Sequence, residues 1–214
     1  MAELIPTKEE MTKALEIRQG VKLQRKFSSA AAAVCGLGGL GSNIAVSLAR
    51  AGIGRLILID YDRVDITNLH RQQYKASQVG RYKTEALSDC LREIAPYVVL
   101  ETHTARIAEN NAVDLLKDAD VVCEAFDNAE CKAMLTNIVL EKMPAKYLVA
   151  ASGMAGIGTA NSIRTRKITD RFYLCGDEVS EVSEAGGLLS SRVMLCAAHQ
   201  AHAVLRILAG EFEV

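Results

Sequence analysis

The chain has 214 residues, half of them apolar, with 25 Lys+Arg against 26 Asp+Glu and a formal net charge of −1. That length suits one domain with a sizeable core, and the near-balanced charge argues against a general nucleic-acid or membrane-surface binder. No apolar run reaches the roughly 20 residues a membrane helix needs, the charged start MAELIPTKEEMTK is unlike a secretory signal, and the expected compartment is cytoplasmic.

Taken in chain order, residues 8–27 read as a charged helix or a pair of turns, so an N-terminal helical segment over 1–27 is expected ahead of a single domain over 28–214. SSAAAAVC follows. Alanine is poor strand material, but the glycine cluster and the helix behind it need a strand in front, so a strand is expected. SNIAVSLARAG reads as a helix ended by Gly52. RLILID (55–60) has the length and composition of a strand. In KTEALSDCLREIAP (83–96), Ala86, Leu87, Cys90, Leu91 and Ile94 recur at helical spacing, and the helix stops at Pro96. YVVLETHT, DVVCEAFD and KYLVAAS read as strands, and ENNAVDLLKDA and AECKAMLTNIVLEKM as helices. GTANSIRTR (158–166) reads as a more polar strand, and SSRVMLCAAHQAHAVLRILAG as a long closing helix. Strands alternating with helices imply an α/β fold: a Rossmann-like, doubly wound, mainly parallel sheet with helices on both faces.

Gly36, Gly38 and Gly41 fit G-x-G-x-x-G between an apolar run and a helix. The first glycine allows a tight turn, the second lets backbone approach a ligand, and the third lets the helix pack on the sheet. Gly39 removes one more side chain from the ligand-facing surface. The helix behind offers unpaired N–H groups and the positive end of its dipole to a phosphate. Asp60 ends the second strand, where a carboxylate accepts ribose hydroxyls. These features suit a dinucleotide such as NAD, and equally ATP.

Charge separates the two. A triphosphate needs cations or a metal where a dinucleotide pyrophosphate is held largely by backbone amides. DITNLHRQQY (65–74) supplies Asn68, Arg71, Gln72 and Gln73, and Lys83 opens the next helix at an end whose dipole favours anions. Asp127 falls just past a strand end, on the ligand-binding edge of such a sheet, where a carboxylate can hold Mg²⁺ or cap the following helix. No histidine is expected at an obvious strand end to serve nicotinamide chemistry.

With these residues assembled, GLGGLGSNIAVSLARAGIGRLILIDYDRVDITNLHRQQY, VGRYKTEAL and EAFDN resemble the ThiF/MoeB/E1-like activating enzymes over residues 28 to 210. FYLCGDE and the closing helix resemble the short, zinc-free ThiF-type proteins of thiamine biosynthesis, the sulfur carrier protein ThiS adenylyltransferases. The resemblance implies an E1-like fold, ATP and Mg²⁺ as ligands, and a ubiquitin-fold sulfur carrier ending in Gly-Gly as partner. Its C-terminal carboxylate would be adenylated with release of pyrophosphate. By the same resemblance Gly36, Gly38, Gly39 and Gly41 form the phosphate-side backbone, Asp60 binds ribose, and Asn68, Arg71 and Gln72 reach the phosphates. Lys83 neutralises charge at the reacting phosphate, Asp127 holds Mg²⁺, and Asn128 lines the pocket, so Arg71, Lys83 and Asp127 are the catalytic candidates. A homodimer is implied too, in which Arg18 is the candidate to reach the partner's site. Two alternatives remain: a tRNA threonylcarbamoyladenosine dehydratase-like relative and an NAD-binding oxidoreductase.

The pattern departs from many relatives in its cysteines. None of Cys35, Cys90, Cys123, Cys131, Cys175 and Cys196 forms a C-x-x-C pair, so no zinc is expected. His199 and His202 on the last helix lack partner ligands and read as packing or subunit-contact residues. Cys175 lies where relatives can place a carrier-linked cysteine, but the downstream Asp177, Glu178, Glu181 and Glu184 argue for an unreactive thiol. GDEVSEVSEAGG is the loop expected to meet a carrier tail.

Overall fold

The computed structural model describes residues 5–214, with the backbone alone at Ala185, so residues 1–4 of the expected N-terminal segment lie outside the described residues. Helix α1, Lys8–Gln19, starts at a capping box between Thr7 and Glu10. Gly20, at φ 90, breaks it from α2, Val21–Ser28, so the expected segment is a pair of helices. Phe27 and Gln24 of α2 are buried.

The remaining elements are β1 Ala31–Cys35, α3 Gly39–Arg50, β2 Arg55–Ile59, α4 Lys83–Ile94, β3 Val99–His103, α5 Ala112–Leu116 and β4 Val121–Glu124. They continue as α6 Ala129–Lys142, β5 Tyr147–Ala151, β6 Arg164–Thr169, β7 Phe172–Gly176, α7 Val182–Ala185 and α8 Ser190–Ala209. One seven-stranded sheet has the order β3-β2-β1-β4-β5-β7-β6. Every pairing is parallel except β6 against β7. The order reverses between β1 and β4, and such switch points open a crevice at the carboxyl ends of the strands.

The alanine-rich strand is the centre of the sheet. Ala33 pairs with Ile57 on one side and Val122 on the other. Ala32 and Val34 face a core shared with α3, α4 and α8, while Ala33 and Cys35 face a second core with α5 and α6. Burial on both faces outweighs the weak intrinsic preference of alanine. Along α8, Val193, Cys196, Ala197, Gln200, Ala201, Val204 and Ile207 are buried at helical spacing, and the helix lies over α3 and the first core.

The polar strand expected over 158–166 is displaced. Ala160–Ser162 form a 3₁₀ turn and β6 begins at Arg164. The sequence reading did not separate β7, which antiparallel pairing with β6 creates. β6 is an edge strand with Arg164, Arg166 and Thr169 exposed, whereas Tyr173 and Cys175 of β7 are buried. A short run such as FYLCG carries too little pattern to be distinguished alone. No helix among the described residues is long and apolar enough to cross a membrane.

Candidate functional site

The crevice between β1 and β4 opens into a cavity of about 550 Å³ lined by Gly36, Gly38, Gly39, Asp60, Asn68, Arg71, Gln72, Lys83, Asp127 and Asn128 among others. The sequence-predicted site residues other than Gly41 thus converge on one space, and Gly41 lies behind them. Gly36 has φ 91, and a Cβ there would come within 2.8 Å of the Ala125 carbonyl oxygen. A Cβ on Gly41 would overlap the Gly36 carbonyl, so helix α3 can rest on the sheet only with glycine there. Gly38 differs: its Cβ would meet only the Gln72 amide at 3.8 Å, which leaves open space where a ligand approaches. At Gly39 a Cβ would press on Val193 at 2.9 Å and on Arg71 at 3.3 Å, so this glycine also admits α8 and the arginine.

Asp60 is buried at the end of β2. One oxygen accepts the Leu37 N–H at 2.6 Å and the other the Asp62 N–H at 2.7 Å. The carboxylate therefore fixes the glycine loop as well as facing the cavity. Its acceptor capacity extends past these two bonds, because a carboxylate offers about four lone-pair sites. Tyr74 holds the same loop, its hydroxyl donating to the Leu37 carbonyl at 2.7 Å.

Lys83 is buried at the first turn of α4, and its ammonium contacts Asp62 at 2.9 Å and Asp60 at 3.7 Å. A cation at a helix start is thus partnered by two carboxylates, which offsets the dipole. Arg71 donates to the Asn68 side-chain oxygen at 2.8 Å. Burial pushes its guanidinium below the ordinary value and Asp127 pulls it back. Gln72 is buried at the cavity wall, and one end of its amide has no hydrogen-bond partner among the described residues. Such a group calls for a ligand or water. Gln73 turns away and bonds to Ser42 and Asn43 of α3.

The cap of α6 is Asn128, whose side-chain oxygen accepts the Cys131 N–H at 2.9 Å. Asp127 is thus relieved of capping and stands exposed at the cavity mouth. An exposed carboxylate beside a phosphate-sized space suits Mg²⁺, which is commonly bound by one or two carboxylates plus substrate phosphates. No group of three or more His, Cys, Asp or Glu among the described residues could hold a metal on its own.

Arg18 is exposed in the last turn of α1, remote from the cavity lining. Beside it Gln19 donates to the Ala51 carbonyl, at the end of α3 opposite the glycine loop. Cys175 is fully buried, with its thiol 3.6 Å from the Thr165 hydroxyl, and burial pushes it up to about 12. Desolvation, rather than the downstream carboxylates, is the cause. Thr165 also meets His199 at 2.9 Å, which accounts for that histidine by packing, and burial lowers its pKa.

Two features escaped sequence reasoning. Glu124 is buried beneath the cavity floor with both oxygens on the Lys132 ammonium at 3.0 and 2.9 Å. Beside the main cavity lies a second one of about 590 Å³, lined by Gly156, Ile157, Gly158, Arg164, Arg166 and Asp177 among others. Ala155 and Ser180 line both. The buried Arg192 braces its wall, donating to the carbonyls of Ala155, Gly158 and Thr159 and pairing with Asp177. Arg192 and Asp177 meet from a helix and a loop apart in the chain, and Glu124 and Lys132 meet because the turn after β4 folds α6 back over it, so no spacing motif announces either pair.

Fold and site together define a doubly wound nucleotide-binding type of protein with a cationic, carboxylate-bearing cleft. A model of the ThiF family matches residues 12–214, and the chain belongs to that family. The chain is 39% identical over 137 residues to the adenylyltransferase and sulfurtransferase MOCS3 of Anopheles gambiae, covering 63% of this chain and 30% of that protein. It is 29% identical over 195 residues to the adenylyltransferase and sulfurtransferase UBA4 of Lodderomyces elongisporus, covering 88% of this chain and 42% of that one. The chain thus spans less than half the length of these curated relatives. Among solved structures, the E. coli tRNA N6-threonylcarbamoyladenosine dehydratase TcdA in complex with AMP superposes with a TM-score of 0.84 at 21% identity, covering 97% of this chain and 98% of that chain. E. coli MccB with MccA-N7isoASN gives 0.72 at 21%, covering 91% and 61%.

Proposed function

We propose that this protein is an ATP-dependent adenylyltransferase. It would activate the C-terminal glycine carboxylate of a ubiquitin-fold sulfur carrier of the ThiS type, serving thiamine thiazole formation in the cytoplasm. The observation that carries the proposal is the meeting of Arg71, Lys83 and Asp127 around the glycine loop in one cavity. That set serves a triphosphate. One histidine does end a strand, His103 of β3, but it pairs with Glu101 and no histidine lines the cavity among the described residues, which disfavours the nicotinamide alternative. The adenylyltransferase names of the relatives and the nucleotide in the TcdA complex point the same way.

In this reading Asp60 and the unpartnered amide oxygen of Gln72 accept ribose hydroxyls or water, the Gln72 amide nitrogen donates to phosphate oxygens, and the glycine-loop amides take phosphate. The carrier carboxylate attacks the α-phosphorus, the bond to the bridging oxygen breaks, and pyrophosphate leaves. No general base is needed, because a carboxylate is already ionised near neutral pH. Two anions must meet, so positioning and charge neutralisation carry the step. Lys83 moves its charge from Asp62 to the phosphates, and Arg71 spans the leaving side. Mg²⁺ held by Asp127 supplies further neutralisation of phosphate charge. Arg18, remote from its own site, serves the partner's site in a homodimer.

The test is ATP–pyrophosphate exchange with candidate carriers ending in Gly-Gly. Carrier-dependent exchange, lost by about 10²-fold or more in Arg71→Ala and Asp127→Ala, is expected. Exchange that ignores the carrier would refute the reading. A second reading, activation of a small carboxylate borne on tRNA, is favoured by the exposed Arg164 on the second cavity, beside Arg166 paired with Glu178. It predicts tRNA-dependent exchange without a carrier.

A further inference from the structure

Glu124 ends β4, three residues before Asp127, and is 1% exposed. One of its oxygens accepts the Phe126 N–H at 2.7 Å, which curls the chain directly behind Asp127. Both oxygens take the Lys132 ammonium, and that ammonium also donates to the Ala151 carbonyl at the end of β5, at 3.0 Å. The Glu124 carbonyl is held by the Gln200 amide of α8 at 2.9 Å. β4, α6, β5 and α8 are therefore tied together around Glu124, α6 through its carboxylate, β5 through Lys132 and α8 through its backbone carbonyl. The segment it curls, Ala125 and Phe126, is also the surface on which Gly36 closes, within 2.8 Å and 3.1 Å of a Cβ built there.

A buried ion pair is weak evidence for stability, because desolvation offsets the Coulombic gain. A well-packed apolar pair would serve a mere core contact. A charged pair with every bond directed at cleft backbone suits a positioning role, as the partners behind a metal ligand orient it. We propose that Glu124 and Lys132 are a positioning pair that holds Asp127 at the mouth of the nucleotide cavity and spaces the β4 end from the β5 end. Glu124 lies outside the cavity lining, and Lys132 reaches the cavity wall with its ammonium committed to Glu124 and the Ala151 carbonyl, so both act through the chain segments that meet the ligand. The inference rests on the ATP·Mg²⁺ reading above and names how that site is preorganised.

The test is thermal stabilisation of the full chain by ATP, first with a chelator present and then over a series of Mg²⁺ concentrations. Wild type is expected to gain stability from ATP and more from Mg²⁺. Glu124→Gln and Lys132→Met should raise the Mg²⁺ concentration for half-maximal effect by about tenfold or more, while stabilisation by ATP under chelator stays as in wild type. Lys132→Arg should restore most of the response. In an Asp127→Ala background, Glu124→Gln should add no further shift, since it acts through Asp127. Unchanged midpoints in Lys132→Met overturn the inference, as does an additive shift in that background or an equal loss of ATP binding under chelator. Lys132→Met decides alone if Glu124→Gln does not fold. Failure of wild type to respond to ATP instead defeats the function proposed above.

Discussion

Gly38 and Gly41 stand three residues apart and do different work. A methyl group on Gly41 strikes the Gly36 carbonyl, backbone that cannot yield, so Gly41→Ala should lower thermal stability sharply and lose ATP binding with it. A methyl on Gly38 meets only a side-chain amide at 3.8 Å, so Gly38→Ala should keep the melting temperature and weaken ATP binding by filling ligand space. Calorimetry beside ATP titration separates the two, and equal melting temperatures for both variants would contradict the assignment. Cysteine chemistry divides the same way. Cys131 is half-buried while Cys175 is sealed in the sheet with its thiol pushed up to about 12. Alkylation of the native protein followed by mass mapping should mark Cys131 first and Cys175 only on unfolding, and Cys175→Ser should leave pyrophosphate exchange intact. Prompt native labelling of Cys175 would restore it as a carrier-linking candidate. At this scale the sequence was a good guide wherever chemistry is local, since φ above zero at Gly36 and a free acid past a strand end are properties of a few adjacent residues. It was a poor guide to Cys175, whose reactivity is set by β5, β6 and α8 packed around it.

At the scale of elements, the second cavity depends on the start of α8. Arg192 ties the loop before β6 to the loop after β7 through Asp177. Burial raises the Asp177 carboxyl, but the Ser180 and Val179 N–H groups, the Ser180 hydroxyl and Arg192 outweigh that and hold it below the usual carboxylate range. A carboxyl lowered on folding contributes stability above its unfolded value, near 3.9, and loses it as pH falls through the folded value. Asp177→Asn should therefore cost about 3 kcal/mol at neutral pH by stranding Arg192. The gap to wild type should shrink below about pH 4, read by chemical denaturation across pH. A constant gap down to acid would show that charge is not the link. β1 offers a second check. Ala33 is fully buried between two strands and a helical layer, so Ala33→Leu should destabilise by about 1–3 kcal/mol through overpacking, measured by the same denaturation. Its strand was placed correctly only because the glycine loop demanded it, and alanine content alone pointed elsewhere. β7 was not legible, because an edge hairpin is defined by its partner.

For the whole molecule, the cleft lies at the sheet's switch point and takes Arg71 from the β2–α4 link, Lys83 from α4 and the exposed Asp127 from the β4–α6 turn. Thermal shift should therefore rise with ATP·Mg²⁺ and stay flat with NAD, and the reverse would overturn the triphosphate reading. The amino-acid sequence by itself determined the alternation of strands and helices, the glycine loop and the residues that converge on it, because periodicity, backbone freedom and charge are carried by neighbours along the chain. Only the tertiary structure decided that Lys83 rests on Asp62 and Asp60, that Glu124 lies under the cleft on Lys132, and that a second cavity shares a wall with the first. Those facts depend on which distant segments are brought within hydrogen-bond reach, and on how much water the packing removes from between them.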